Sequence, residues 1–161
     1  NRLMCGAEIG EHAEVRRAWP GVVEAINLIG SKQVQGRASA GGNLCNASPA
    51  ADGVPALMTL DAEVELRSAL AARYLPVDQF ILGNRRTSLQ PGEMVAAIRV
   101  PKAAVSGASN FQKLGARRYL VISIAMAAAR IVMGRDGVVE TAAVAVGSCS
   151  AVAQRCAERT F

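Results

Sequence analysis

The stretch SAGGNLCNASPAAD, from Ser39 to Asp52, holds the densest group of residues suited to ligand binding. Gly41 and Gly42 remove the side chains from two successive backbone positions, so a ligand can approach the main chain there. Successive N–H groups in such a segment can form an anion-binding concavity. Short hydrogen-bonding side chains follow at Asn43, Asn46, Ser48 and Asp52. These residue types predict a phosphate-binding loop, and a plain turn with an Asx cap is the alternative.

The carboxylate of Asp52 has a different role from the glycines, because it repels a phosphate. We expect this side chain to bind ribose hydroxyls or to cap a segment that begins at Gly53. Two other carboxylates, Glu63 and Glu65, belong to an alternating stretch and are predicted to lie on its solvent face, where we assign them no chemistry.

Metal binding and nucleophilic catalysis find little support in the sequence. The cysteines at positions 5, 45, 149 and 156 form no C-x-x-C pair, and His12 is the single histidine. Zinc and iron–sulfur sites need clustered thiolates or imidazoles. Scattered thiols in a mostly apolar chain are typical of reduced cysteines. We therefore expect a cytoplasmic protein without a metal site and without a catalytic side-chain set.

The charge balance is basic, with a formal net charge of +5 and a pI near 9.4. This balance suits an anionic partner, either nucleic acid or a phosphate-bearing ligand. The arginine pairs 16–17, 85–86 and 117–118 are scattered, with no interleaved aromatic residues. Solvated surface is therefore the favoured interpretation, and we expect no nucleic-acid partner.

The chain has 161 residues, enough for one domain or two small ones. Aromatic residues are 4% of the chain, so the core must be built from Ala, Val, Leu, Ile and Met. The longest apolar run, 119–129, is shorter than the roughly 20 residues that cross a bilayer, and no signal peptide is visible at the start. We expect no membrane partner.

Periodicity predicts the elements of the first hundred residues. Apolar residues spaced i, i+3, i+4 and i+7 over 22–29 predict a short helix ended by Gly30, followed by a polar loop over 31–43. Alternation over 62–67 predicts a half-buried strand. Core positions are expected at Leu75, Phe80, Ile81 and Leu82. A turn at Pro91-Gly92 leads into a strand over 94–100 that Pro101 ends.

The remaining residues predict a second, smaller group of elements. Residues 102–110 are small and polar and are the best candidate for a linker. Two apolar runs around Gly134-Arg135-Asp136-Gly137 predict a β-hairpin, although the alanine-rich 124–130 is also compatible with a helix. The final stretch, 151–161, has the composition of a helix. The predicted class is α+β with mainly antiparallel strands.

Several quoted segments resemble one known family. Gly41 to Ser68, GGNLCNASPAADGVPALMTLDAEVELRS, closely resembles the flavin-binding (medium) subunit of molybdenum hydroxylases, which include carbon monoxide dehydrogenase and xanthine dehydrogenase. The segments LPVDQFILGNRRTSLQPGEMVAAIRVPK, FQKLGARR and GVVETAAVAVGSCSAVAQRCAE resemble later parts of the same subunit in the same order. The resemblance implies the second lobe of an FAD-binding domain over 1–103 and a partial C-terminal α+β domain over 104–161.

The resemblance also implies roles for individual residues. Gly41, Gly42 and the backbone of Asn43 would lie against the FAD pyrophosphate. Ser39 precedes this turn, Asn46 would bond the phosphates, and Ser48 and Asp52 fall on a Ser-Pro-x-x-Asp segment with the aspartate on the ribose. Val95 would contact the flavin ring region, and Lys113 would lie near the isoalloxazine, where its charge could stabilise the reduced ring. The residues to be tested are therefore Ser39, Gly41, Gly42, Asn43, Asn46, Ser48, Asp52, Val95 and Lys113.

The sequence departs from the family in ways that set further expectations. Ala40 stands where the family usually has a larger residue, and Val121 stands where it often has aspartate. The chain begins near the start of the second lobe, so we expect a truncated relative without the first FAD lobe and with a shortened C-terminal domain. The family implies molybdenum and iron–sulfur subunits as partners, and a homo-oligomer would cover the exposed surface. The alternative is a structural module that has lost tight FAD binding.

Overall fold

The structure is a computed structural model that describes residues 4–156. Its first part is mainly helical and its last part is a β-sheet. The helices are α1 (Gly6–Glu11), α2 (Ala13–Ala18), α3 (Pro20–Asn27), α4 (Lys32–Gln35), α5 (Ala40–Asn46), α6 (Gly53–Met58) and α7 (Val77–Phe80), with a 3₁₀ turn at Lys102–Val105. The strands are β1 (Glu63–Arg67), β2 (Ala72–Pro76), β3 (Ile81–Gly83), β4 (Arg86–Thr87), β5 (Met94–Arg99), β6 (Ala108–Leu114), β7 (Ala125–Met133), β8 (Val139–Gly147) and β9 (Gln154–Arg155).

All described strand pairs are antiparallel, as the sequence predicts. Strands β2, β1 and β5 form one sheet in that order, and β6 to β9 form a second sheet in sequence order. In sequence, β3 and β4 lie between β2 and β5 and form a small hairpin. Apart from β5, which returns to pair with β1, the strands of both sheets pair with their neighbours in sequence, which is consistent with the α+β class.

Two hydrophobic clusters hold the helices against the sheets. The first contains Phe80, Leu44 and Val64 from the helical part and β1, together with Ala145 from β8. The second places Ile26 of α3 and Leu60 beside side chains of the second sheet, Phe111, Met126 and Ala128. Side chains from before and after residue 103 therefore share both clusters, so the two predicted domains pack directly on each other.

Close backbone packing joins α3 to β6. A Cβ on Gly21 would come within 3.0 Å of the Asn110 backbone, so this position has no room for a side chain. The Glu24 carboxylate accepts a hydrogen bond of 2.7 Å from the Phe111 N–H. Strand β6 begins at Ala108, so the last part of the predicted linker over 102–110 is wrong: residues 108–110 belong to this strand.

Several elements confirm the periodicity predictions. The helix predicted over 22–29 is α3, with Val22, Ala25 and Ile26 buried. The turn before β5 places Gly92 at a φ of +82°, and the Glu93 N–H donates to the Gln90 carbonyl at 3.0 Å. This geometry matches a type II turn with proline and glycine at its centre. The hairpin around 134–137 joins β7 and β8, so the alanine-rich segment is strand.

Other expectations are wrong for identifiable reasons. The polar stretch 31–43 contains α4 and the start of α5, because Ser31 and Ser39 each cap a helix with their side-chain oxygen. Leu82 is 52% exposed, since α7 ends just before β3 and alternation turns this residue outward. Glu65 is 7% exposed and pairs with Arg67, so the outer face of β1 is not fully solvated. Residues 154–155 form β9, and the rest of the predicted C-terminal helix, 157–161, lies outside the described residues.

Within residues 4–156, no helix is both long enough and apolar enough to cross a bilayer.

Candidate binding site

Two of the described cavities meet at α5, and a third opens beside the second. The first, about 620 Å³, lies between the helices and β5 and is lined by Ser39, Gly42, Asn43 and Asn46 at one end and by apolar side chains such as Trp19 and Ile98 elsewhere. The second, about 310 Å³, is lined by Asn43, Asp52 and Lys113. Asn43 lines both cavities, so the start of α5 lies where they meet.

The Gly-Gly-Asn segment is the first turn of α5 rather than the predicted loop. Ser39 is its N-cap: its Oγ accepts a hydrogen bond of 3.0 Å from the Gly42 N–H, and its carbonyl accepts one of 3.0 Å from Asn43. Helix geometry leaves the N–H groups of Ala40 and Gly41 without an intrahelical acceptor. The predicted anion-binding backbone is therefore a helix N-terminus, whose dipole favours negative charge, although the antiparallel bridge between Cys5 and Ser39 engages the backbone beside its first N–H.

Packing explains why two glycines are found in a helix. Glycine in a helix costs about 1 kcal/mol relative to alanine. Leu44, fully buried in the core, offsets this cost by anchoring α5. Gly41 is buried against Val95, whose Cγ1 would lie 3.4 Å from a Cβ at position 41. Gly42 is exposed, and a Cβ there would come within 3.2 Å of Ser39 Oγ.

Asp52 and Lys113 meet in a buried ion pair between residues 61 positions apart. Lys113 Nζ lies 2.7 Å from Asp52 Oδ2, and the two side chains are 9% and 6% exposed. The hydroxyl of Ser123 donates a hydrogen bond to Asp52 Oδ1. Lys113 Nζ also lies 3.4 Å from the carbonyl of Leu28 at the end of α3. Both oxygens of the Asp52 carboxylate therefore have partners within the protein.

The other predicted residues have partners away from the ion pair. The carboxamide oxygen of Asn46 accepts from the Arg85 guanidinium, at the tip of the β3–β4 hairpin. The Ser48 hydroxyl accepts from the Ala50 N–H at 3.3 Å and serves a local turn. Val95 is 9% exposed and supports Gly41 from the core instead of lining a described cavity. The structure thus places Ser39, Gly42, Asn43 and Asn46 on the lining of the first cavity and Asn43, Asp52 and Lys113 on that of the second, whereas Gly41, Ser48 and Val95 line none of the three described cavities.

A third cavity, about 900 Å³, opens beside the second and is strongly basic. Its charged lining residues are Lys32, Lys113, Arg117 and Arg118, and it shares Gly30, Lys113, Leu120 and Val121 with the second cavity. No acidic residue lies among the lining residues that the structure describes. The third cavity is therefore suited to an anionic ligand.

Sequence reasoning missed three residues of the site. Gln35 is 4% exposed, and its Nε2 donates to the carbonyls of Asn27 at 2.8 Å and Ile29 at 3.1 Å, which fixes the wall between the first and third cavities. The Trp19 ring lines the first cavity, with Nε1 donating to Ala104 at 2.9 Å. Ser123 completes the ion pair. No local pattern identifies these residues, because each one acts through a partner distant in sequence or through the tertiary fold.

Comparison with known proteins identifies the family. Residues 4–103 match the family described as the FAD binding domain in molybdopterin dehydrogenase. The chain belongs to this family. The matched residues include the helices, β1 to β5 and the segment 39–43 at the start of α5. The match therefore confirms the resemblance inferred from the Gly-Gly-Asn segment.

Individual relatives support the same assignment. The chain is 33% identical over 120 residues to the nicotinate dehydrogenase FAD-subunit of Eubacterium barkeri, covering 73% of this chain and 40% of that protein. It is 31% identical over 100 residues to the carbon monoxide dehydrogenase medium chain of Hydrogenophaga pseudoflava, covering 62% and 35%. The chain thus spans less than half the length of these relatives.

The fold is also found in solved structures. A carbon monoxide dehydrogenase from Oligotropha carboxidovorans superposes with a TM-score of 0.87 at 23% identity, covering 94% of this chain and 52% of that one. A carbon monoxide dehydrogenase from Hydrogenophaga pseudoflava gives a TM-score of 0.86 at 26% identity with the same coverage. These superpositions confirm the α+β fold along almost the whole chain.

The residues present fit the family's flavin. Glycine leaves a cradle at two positions that a Cβ would fill: at Gly42 beside Ser39, and at Gly53, where a Cβ would come within 3.2 Å of Asn43 Oδ1. The first two cavities, of about 620 and 310 Å³, have the volumes expected of sites for small molecules and cofactors. One cavity is mostly apolar and the other carries Asp52 and Lys113, which suits a ligand with two unlike ends joined by a diphosphate.

Proposed function

We propose that this chain is the FAD-binding, electron-transfer module of a molybdenum hydroxylase-type oxidoreductase. The observation that carries the proposal is a pair of cavities of unlike polarity that meet at Asn43 of α5, one mostly apolar and the other lined by Asp52 and Lys113. A helix N-terminus stabilises a diphosphate through unpaired N–H groups without any basic side chain. The family assignment of residues 4–103 agrees with this use.

The α5 residues would hold the diphosphate. Ala40 and Gly42 line the first cavity, and exposed Gly42 lets the phosphates approach the backbone. Ser39 keeps the first turn of the helix in place through its bond to the Gly42 N–H. Asn43, which lines both cavities, would contact the ligand on either side of the diphosphate. Asn46 and Ser48 would act at the edge, by holding the Arg85 hairpin and the turn before α6.

The flavin would occupy the cavity lined by Asp52 and Lys113. When bound, FAD supplies the electron carrier that accepts and passes on reducing equivalents. Lys113 has three N–H donors, two of which are directed at Asp52 and the Leu28 carbonyl, so one remains for the ligand. Asp52 holds the ammonium in place, and because this cavity is assigned to the flavin half, the remaining Asp52 lone pairs would accept from a hydroxyl of the ribityl chain. Val95 acts through Gly41, whose position in the cradle it sets.

The assembly around this module is part of the same proposal. Molybdenum and iron–sulfur subunits would deliver electrons to the flavin, and a second copy of the chain or another subunit would cover the exposed apolar side chains near the cavities, such as Leu120 and Ile122. Residues 1–103 would form the FAD-binding unit and 104–161 the smaller one. The four cysteines are free thiols, which suits a reducing cytoplasm.

Titration with FAD tests the proposal directly. The purified chain should quench the fluorescence of added FAD, with a Kd between micromolar and about 1 mM, the range of roughly −4 to −8 kcal/mol. A Gly42→Val variant should lose at least about tenfold in affinity, because its side chain fills the cradle. Its free energy of unfolding should fall by no more than about 2 kcal/mol, because the position is exposed and the new side chain crowds only the Ser39 cap.

Gly36→Val is the matched control. Gly36 is also an exposed glycine with a negative φ at a helix end, and it lines none of the described cavities. This variant should keep wild-type FAD affinity. Absence of quenching by the wild-type chain at millimolar FAD, or equal affinities of the two variants, would contradict the proposed site.

A further inference from the structure

A short loop forms one wall of the flavin-side cavity. The loop joins β6 to β7, and its residues Leu120, Val121 and Ile122 line the cavity opposite Asp52 and Lys113. These apolar side chains are mostly exposed, with Leu120 at 57% and Ile122 at 77%, so core packing does little to hold the wall. Polar contacts must therefore hold the loop.

The loop has a polar contact at each of three points. The Arg117 guanidinium donates to the Leu120 carbonyl, and the Ile124 N–H donates to the Leu114 carbonyl at 2.8 Å. The third contact is the Ser123 hydroxyl on Asp52 Oδ1. The first two contacts close the loop on itself and on β6. Among these three, the Ser123 contact is the one that reaches across to the helical part of the fold.

Ser123 is also buried, which makes its contact strong. Its residue exposure is 6%, next to an Asp52 side chain that is itself 6% exposed. A hydroxyl bonded to a buried carboxylate is charge-assisted and stronger than a bond between neutral groups. The same hydroxyl occupies Oδ1 and leaves Oδ2 to Lys113, so it also determines the side from which the ammonium approaches.

We propose that Ser123 is a positioning residue for the flavin: its hydroxyl fixes the wall 120–122 and orients the Asp52–Lys113 pair toward the flavin-side cavity. This inference rests on the proposed FAD site and adds a residue outside the family match over 4–103. It has a specific consequence. Loss of the hydroxyl should weaken binding of the flavin half of FAD and leave the adenosine diphosphate half unaffected, because the Ser123 hydroxyl bonds Asp52 in the flavin-side cavity and takes no part in the Ser39 cap of α5.

The first experiment needs no ligand. Hydrogen exchange measured by mass spectrometry compares wild type, Ser123→Ala and Ser123→Thr. We expect the peptide covering 115–123 to exchange about tenfold faster in Ser123→Ala, the effect of losing one bond to a charged group. Peptides of β7 and β8 should be unchanged, and Ser123→Thr, which keeps a hydroxyl, should behave as wild type. Unchanged exchange of the loop in Ser123→Ala would overturn the positioning role.

The second experiment measures the affinities of FAD and of ADP for the same proteins. Ser123→Ala should bind FAD about tenfold more weakly and ADP within twofold of wild type. Ser109→Ala is the matched control, because the Ser109 hydroxyl also bridges two elements, accepting from Gly21 at 3.1 Å, but lies outside the cavities. If Ser123→Ala loses FAD and ADP affinity equally, or leaves the ratio of the two affinities at its wild-type value, the role of Ser123 is wrong while the proposed function stands. The same conclusion follows if the wild-type chain binds ADP as tightly as FAD. A wild-type chain that binds neither ligand would overturn both the proposed function and the role of Ser123.

Discussion

Two ion pairs in this protein use similar chemistry at different depths of burial. Lys113 and Asp52 form a pair with side chains 9% and 6% exposed, at a cavity and between distant segments. Arg73 and Glu93 form a pair on the edge of the three-stranded sheet, with side chains 34% and 11% exposed, only 20 residues apart. The second pair is bidentate, with both N···O distances at 2.7 Å.

The difference shows what each pair contributes. The Arg73–Glu93 pair holds a turn: Glu93 also accepts from the Gln90 N–H at 2.9 Å, and Arg73 also donates to the Ser88 carbonyl at 2.7 Å. Its charges remain partly hydrated, so its formation costs little. The buried pair pays a desolvation penalty that its attraction barely repays. Its net contribution to stability is therefore small, although removal of one partner would leave the other charge buried and uncompensated.

Removing one member of the buried pair should have the largest effect. Asp52→Ala leaves the Lys113 ammonium buried without its counter-charge and the Ser123 hydroxyl without its acceptor. We expect a loss of about 3–5 kcal/mol in the free energy of unfolding, measured by urea denaturation. A loss below about 1 kcal/mol would show that water already compensates Lys113, and the contrast between the two pairs would fail.

Removing both charges should restore most of the stability. The double variant Asp52→Leu/Lys113→Met replaces the pair with apolar side chains of similar volume, and we expect its stability to lie within about 2 kcal/mol of wild type. The double-mutant cycle with the two single variants gives the coupling energy. Additive losses would mean that the two charges do not interact. In either case the double variant should lose FAD affinity, since neither the ammonium nor the carboxylate remains.

Removing the charge of Glu93 from the Arg73–Glu93 pair should have a smaller effect on stability, and the size of the effect should depend on pH. The hydrogen bonds from Arg73 and then from the Gln90 N–H lower the pKa of Glu93 to about 2, from an ordinary value of 4.5. A carboxyl whose pKa is lower in the folded state stabilises the fold above its unfolded pKa and loses that contribution as the pH falls through the folded pKa. The difference in Tm between wild type and Glu93→Gln should therefore be greatest above about pH 5 and should vanish near pH 2.

Thermal unfolding between pH 2 and 7 measures this dependence. Glu14→Gln is the control, because Glu14 lies on the exposed surface of α2. A Tm difference for Glu93→Gln that stays constant down to pH 2 would mean that the carboxylate does not depend on Arg73.

Local pattern predicted some regions well and others poorly. The β7–β8 hairpin followed from two apolar runs around Gly134-Arg135-Asp136-Gly137, because alternation and a tight turn are local properties. The α5 segment was expected to be a loop, because Gly41, Gly42 and Asn43 all disfavour helix. The Ser39 cap and the burial of Leu44 outweigh that propensity. Propensity is worth about 1 kcal/mol per residue at most here, which is less than the burial of one leucine.

The sequence by itself determined the α+β class, the antiparallel hairpin and the family, because these depend on periodicity and on a contiguous Gly-Gly-Asn motif. It also indicated Asp52 and Lys113 separately, each through its own motif. Only the tertiary structure decided that these two side chains meet, that Ser123 joins them, and that Val95 supports the cradle from behind. Contacts across 61 and 71 residues depend on how α6 packs against the second sheet, and no local pattern records that packing.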